Sequence, residues 1–331
     1  MKCVFRALRV AALFVGSVVG AGFATGQEVQ LFFGGDGVAS LIVASLFMAV
    51  CAFFFMEIGA KRLVNARASV ATDTLVSVCS FAVYAAMIAA AEELLVDVTG
   101  QAGLSALVAV TMMAFGKRTA SLSLFNLVAV PLMIVVIALV GVRSTGAVTG
   151  RFGLLTPLAY GGMNLLFSGA LMVKEGETST HAERVFASVL LGAAVFAMLY
   201  FMRRAVAGVT GDMPFLTAAV GANVGTVANL SLLLAIVTTM GACAHLTTSR
   251  LAALVGDGAL AAPLVVLLGI VTSSFGFAAI VEVSYPIVSY LGLAATLFAV
   301  ALPAVAFFKR GGFGKFFRPK KLVGGLTAKR K

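Results

Sequence analysis

The chain has 331 residues, 61% of them hydrophobic and 11% charged, with a net charge of +11 and a mean hydropathy of +1.09. A soluble domain carries roughly 25% charged residues, so a soluble globular fold is excluded, and the apolar stretches repeatedly reach the ~20 residues that cross hydrocarbon. Cys3, Cys51, Cys79 and Cys243 lie far apart without metal spacing, which excludes a disulfide framework and leaves them as small core residues.

Ten spans are expected, at 7–33, 37–60, 72–96, 102–116, 121–142, 153–173, 184–204, 222–247, 259–275 and 280–308. The first has a basic start (Lys2, Arg6, Arg9), but the many spans that follow favour a retained helix over a cleaved signal peptide. Its middle is cut by Gly16, Gly20, Gly22 and Gly26. Glycine costs about 1 kcal/mol against alanine inside a helix, so this density favours a local break. Broken backbone within a bilayer survives only where protein, ion, solute or water satisfies it, which is the pattern of secondary-transporter binding sites. The alternative is that these glycines are small-residue contacts between closely packed helices.

Placing the N-terminus in the cytoplasm puts twenty Lys and Arg inside against four outside, Arg143, Arg151, Arg203 and Arg204. This predicts cytoplasmic termini in a cell membrane. The net charge then needs no nucleic acid, and the basic tail 309–331 is expected against anionic lipid. A faint internal repeat is present. Lys61-Arg62 closes the second span and Arg203-Arg204 the seventh, 142 residues later, and the same offset sets Gly20 on Gly162 within a second glycine-interrupted span. Pro131 of the fifth span answers Pro286 of the tenth. With five spans per half, the halves 1–142 and 153–308 must be inverted relative to one another, and paired interruptions in inverted repeats point to a binding site.

The run Gly16-Ser17-Val18-Val19-Gly20-Ala21-Gly22-Phe23-Ala24-Thr25-Gly26-Gln27-Glu28 resembles the first helix of the YkvI-type bacterial membrane proteins, within the amino acid–polyamine–organocation superfamily of LeuT fold. The resemblance extends over the chain in length and span count, while the specific motif is confined to this segment. It implies an all-α, ten-span, five-plus-five inverted repeat with helices one and six unwound around a solute. It also implies a sodium site, because sodium-coupled carriers of this fold use a small residue followed by two hydroxyl residues on the eighth span. Ala235, Thr238 and Thr239 match that spacing, and the first-helix carbonyls fall on Gly16 and Val19. Five neutral oxygens suit a hard monovalent cation. The alternative is that each threonine bonds back to its own helix. Phe23 stands where several relatives have an asparagine for a second sodium, which argues against a second ion of that kind.

A half-helix beginning near Gly22 would aim NH groups of Gly20, Ala21 and Gly22 at an anionic solute group. Gly161, Gly162, Met163 and Asn164 would face it from the sixth span, with Asn164 alternatively an interhelical hydrogen-bonding residue. Glu28, six residues beyond Gly22, is expected about 9 Å up the helix in an outer vestibule, where it binds a solute ammonium, carries a proton or sits in water. Interfacial solvation is expected for Glu92, Glu93 and Glu282, an i,i+4 pair with Lys61 for Glu57, and no metal or acid–base partner for His181 or His245. No nucleophile, metal cluster, GxSxG or P-loop is present, so an enzyme is not expected. The sequence reads as a symporter of a small amino-acid-like or organic-anion solute, with sodium as the possible coupling ion, no other cofactor, and the lipid bilayer as its other partner. A channel, or a structural or sensory protein of the same fold, is the alternative.

Overall fold

Long apolar runs leave helix as the arrangement that satisfies its own backbone in hydrocarbon. The computed structural model describes residues 2–18, 20–62, 66–116 and 119–309, and among these it is helical with no strand. Thirteen helices follow in order: α1 (Lys2–Val18), α2 (Ala21–Thr25), α3 (Gln27–Phe33), α4 (Val38–Ala60), α5 (Ala66–Thr99), α6 (Leu104–Gly116), α7 (Thr119–Arg143), α8 (Leu155–Thr178), α9 (His181–Ala205), α10 (Pro214–Gly221), α11 (Gly225–Val255), α12 (Gly258–Ser273) and α13 (Phe277–Lys309). Each expected span coincides with one helix, except that the first is the run α1–α3, while α10 is a short connector. Five helices, α4, α5, α9, α11 and α13, are long and apolar enough over their described lengths to cross a membrane. Leu46, Val78, Leu107, Val189, Leu267 and Phe298 project from the helices with more than half their surface exposed. Such an apolar exterior suits lipid and would be a liability in water.

The helices pack in two groups. One contains α1, α4, α8 and α9, and the other α5, α6, α11 and α12, while α7 reaches both through α9 and α11 and α13 reaches both through α4, α8 and α5. Exchanging span one with six, two with seven, three with eight, four with nine and five with ten maps most of these pairings onto one another. For example, α4 on α8 exchanges with α9 on α1, and α5 on α12 with α11 on α6. This packing is the five-plus-five repeat that the faint sequence offset suggested.

The two ends of the molecule are tied differently. At the end carrying the N-terminus, buried Glu57 of α4 meets Lys61 at 2.7 Å, Arg184 at 2.7 Å and His181 at 3.1 Å. His181 therefore has an acidic partner that the sequence did not predict, because α9 begins where α4 ends. Arg9 pairs with Glu175 at 3.0 Å, and Arg6 lies 4.0 Å from Glu183 and bonds Thr178, so α1 is held to α8 and α9. At the opposite end, arginines close helix C-termini. Arg203 donates to the carbonyls of Phe33 (2.7 Å) and Gly34 (2.6 Å), Arg204 to Ser144 (2.7 Å) and Arg143 to Ala222 (2.8 Å). Cations placed on unpaired carbonyls at helix ends are favourable, which accounts for three of the four arginines at this end.

The expected interruption of the first span is present, and that of the sixth is not. Gly20 is extended (φ −79°, ψ 178°) between α1 and α2, while Gly26 is left-handed (φ 79°) between α2 and α3. By contrast α8 runs unbroken from Leu155 to Thr178 through Gly161 and Gly162. Those glycines allow close approach instead. A Cβ on Gly161 would stand 2.6 Å from the Phe47 ring, one on Gly162 would strike the Leu293 backbone, and one on Gly292 would lie 2.5 Å from the Gly162 carbonyl. Small-residue packing with α4 and α13, the alternative weighed for glycines in a span, is what α8 adopts.

Candidate functional site

The unwound stretch of the first span lies between the two helix groups, with α2 packed on α11 and α10, and α3 on α8, α9 and α13. The single turn of α2 is held at its far end by Thr25, whose hydroxyl donates to Gly22 O (2.9 Å) and accepts from Gln27 N (3.3 Å). Gly26 then turns the chain in a conformation that a side chain resists. A Cβ there would also meet Val206 at 2.7 Å and the Phe215 backbone nitrogen at 3.1 Å. Thr25 and Gly26 are thus structural parts of the site.

This second bend overturns the expected position of Glu28. A continuous helix would have carried it into a vestibule; instead it is 6% exposed. Its Oε2 and the Tyr285 hydroxyl of α13 each lie 2.7 Å from where a Gly22 Cβ would stand. Tyr160 and Asn164 of α8 face the same carboxyl group. Phe32 and Phe33 pack edge-on against Tyr160, with ring centroids 5.5 and 5.0 Å away, and so fix its ring. Glu28 Oε1 and Tyr160 Oη have no hydrogen-bond partner among the described residues. Asn164 donates to its own helix at Tyr160 O (3.0 Å).

Other predicted site residues fall into place unevenly. Gly20, Ala21 and Gly22 do open a helix, but α2 has only five residues and no extended half-helix stands behind its NH groups, so the expected dipole is small. Gly161 and Gly162 are occupied by packing, and Met163 is buried in the core. Of the proposed cation ligands, Thr239 touches Gly20 at the break, with its Oγ1 3.7 Å from a Gly20 Cβ. Thr238 is buried and donates to Ala235 O at 3.0 Å, the back-bonded alternative. Gly16 lies on α1, one turn before the break, and Val19 lies outside the described residues.

Two site residues escaped the sequence reading. Tyr160 directly precedes the Gly161-Gly162 pair, which is the only signal it had, and Tyr285 had none. Two acids expected at the interface also have backbone partners: Glu92, partly exposed, accepts from Gly103 N (2.6 Å) and Ser105 N (3.3 Å) at the start of α6, and Glu93 from Phe277 N (3.2 Å) at the start of α13. Both serve NH groups at helix N-termini, where negative charge is favourable.

Fold and packing together define a multi-pass membrane protein of LeuT fold. Among solved structures the chain is similar to Mhp1, a nucleobase-cation-symport-1 family transporter, in a closed conformation with bromovinylhydantoin bound. Identity is 17% and the TM-score 0.60, over 91% of this chain and 78% of that one. It is similar also to the inward-facing conformation of Mhp1, with 13% identity and a TM-score of 0.59 over 91% and 76% of the two chains. A manganese transporter from Eremococcus coleocola, in complex with an aromatic bis-isothiourea substituted compound, aligns at 15% identity and a TM-score of 0.48 over 92% and 88%. No protein-family model matches the chain, and no curated protein matches it. The likeness to the two Mhp1 structures establishes the fold and leaves the cargo to the site's own chemistry.

Proposed function

We propose that the chain is a cation-coupled secondary transporter of a small amino-acid-like or organic-anion solute, working by alternating access. The observation that carries this reading is the doubly bent first span, whose backbone and a buried carboxyl group meet side chains of α8, α11 and α13 between two helix groups. An acid buried within a membrane span without an ion-pair partner among the described residues supports a functional role. The first-helix motif supports placement in the YkvI-type branch.

In this reading the repeats 1–142 and 153–308 are the units that rock, and the solute lies against Gly20, Ala21, Gly22 and the α8 face carrying Gly161, Gly162, Met163 and Asn164. Sodium would be held by carbonyls of Gly16, Val19 and Ala235 with the Thr238 and Thr239 hydroxyls. The contact of Thr239 with Gly20 supports this arrangement. The N-terminal end faces the cytoplasm of a cell membrane, and the basic tail, of which 310–331 lie outside the described residues, rests on lipid headgroups. A second coupling reading, by proton through Glu28, is favoured by the burial of that residue. Thermal melting of the purified protein against amino acids and organic acids, with and without sodium, tests the proposal. Sodium-enhanced stabilisation by a solute supports it, and stabilisation by no solute in either medium counts against it.

A further inference from the structure

We infer that Glu28, with Tyr160 and Tyr285, forms the docking point for a protonated amine of the solute. This rests on the carrier reading and narrows its cargo to ammonium-bearing molecules, setting aside simple organic anions.

Three observations converge. Glu28 is a carboxyl group taken almost entirely out of contact with the surroundings. None of the ion pairs among the described residues involves it. One of its oxygens and the Tyr160 hydroxyl lack hydrogen-bond partners among those residues, although both are buried. A charge or polar group buried in this way is costly unless it is paired.

The surroundings specify what would pair with it. Glu28 offers acceptors and charge, and the Tyr160 and Tyr285 hydroxyls each offer an acceptor lone pair beside it. A group with several N–H donors and a positive charge satisfies all three, whereas a second anion would face the carboxyl group directly. Gly22 lets the two side chains converge on the α2 backbone, since any side chain there would strike both Glu28 and Tyr285. The aromatic ring of Tyr160, fixed by Phe32 and Phe33, adds a face that a cation prefers.

The test uses the full-length purified protein and matched triads of probes. Each triad contains an L-amino acid, the amine that lacks its carboxylate and the acid that lacks its amine: alanine, ethylamine and propionate; leucine, isopentylamine and 4-methylpentanoate; phenylalanine, phenethylamine and 3-phenylpropionate; and lysine, cadaverine and 6-aminohexanoate's deaminated parent, hexanoate. Members with an ammonium should raise the melting temperature and the plain acids should not. Glu28→Gln should weaken that binding by about thirtyfold or more, and Tyr160→Phe and Tyr285→Phe by smaller factors. Ligand-free Glu28→Gln should melt no lower than wild type, because it exchanges a buried carboxyl group that has no ion-pair partner among the described residues for an amide of the same shape; a merely structural acid would give a lower melting temperature.

The inference is overturned if plain acids stabilise, if amine binding survives Glu28→Gln, or if no ammonium-bearing probe binds. It is also overturned if Glu28→Gln abolishes only the pH dependence of uptake and leaves amine binding intact, which would assign Glu28 to proton coupling. An acid that binds and is also transported into vesicles would refute this docking role while leaving the carrier reading standing.

Discussion

Adding one methyl group at Gly22 separates the site from the fold. A Cβ there would sit 2.7 Å from Glu28 Oε2 and from Tyr285 Oη, and 3.0 Å from Tyr285 Cε2. Unstrained contact needs roughly 3.5 Å, so both side chains must retreat by about 0.8 Å. Overpacking of this size costs about 1–3 kcal/mol. Gly22 lies inside α2 without a left-handed backbone, so alanine regains up to about 1 kcal/mol of helix propensity. Gly22→Ala should therefore melt within a few degrees of wild type. Amine binding should weaken by about 5- to 150-fold, the factor that a 1–3 kcal/mol shift gives, because the displaced groups are the docking point. Gly26→Ala is the contrast. Its left-handed backbone costs about 1–2 kcal/mol with a side chain, and the added Cβ meets the Phe215 backbone nitrogen at 3.1 Å, which cannot swing away. That variant should lose several degrees of melting temperature. Scanning fluorimetry of both, with an ammonium-bearing probe titrated in, reads stability and binding together. Wild-type binding by Gly22→Ala, or an equal loss of stability in the two variants, would refute the reasoning.

Three further outcomes follow from the same geometry. Thr239→Val should abolish sodium-dependent stabilisation while Ser249→Ala, whose hydroxyl bonds its own helix at His245 O, preserves it; equal responses in the two would remove sodium from this site. Arg184→Met should cost about 1–3 kcal/mol, because Glu57 loses one of its two 2.7 Å partners while Lys61 and His181 remain, and the cost should shrink in a Glu57→Leu background, so strictly additive losses on denaturant titration would contradict the pairing. Arg203→Ala should destabilise by about 1–3 kcal/mol through the abandoned Phe33 and Gly34 carbonyls, with Arg203→Lys recovering only part because an ammonium cannot match the two-pronged contact. Full recovery by lysine would show that charge alone matters there.

The spans were legible because length and apolarity suffice to locate them, and the break at Gly20 because four glycines in eleven residues leave helix little to gain. The sixth span shows the limit of that logic. Glycine serves a break and a close contact equally well, and Gly162 was decided by Gly292, which lies 130 residues away in sequence and answers it across α13. Glu28 was legible as an important acid but not as a buried one, since its position depends on the left-handed turn at Gly26. Tyr285 carried no local signal at all; only the packing of α13 against α3 and α8 brings it to the site. The arginines at 203 and 204 entered the charge asymmetry as a count alone, and their bonds to helix-end carbonyls depend on which termini gather at that end.

Uptake into proteoliposomes separates a cation-coupled carrier from a channel or an inert membrane protein. The purified protein is reconstituted, a radiolabelled ammonium-bearing probe is supplied outside, and an inward sodium gradient, an inward proton gradient or neither is imposed. The account predicts accumulation above the outside concentration under one of the cation gradients, collapse of that accumulation when the gradient is dissipated, and its loss in Gly22→Ala. Flux that only equilibrates, whatever gradient is imposed, would make the protein a channel, and no flux above protein-free vesicles would contradict the carrier account outright.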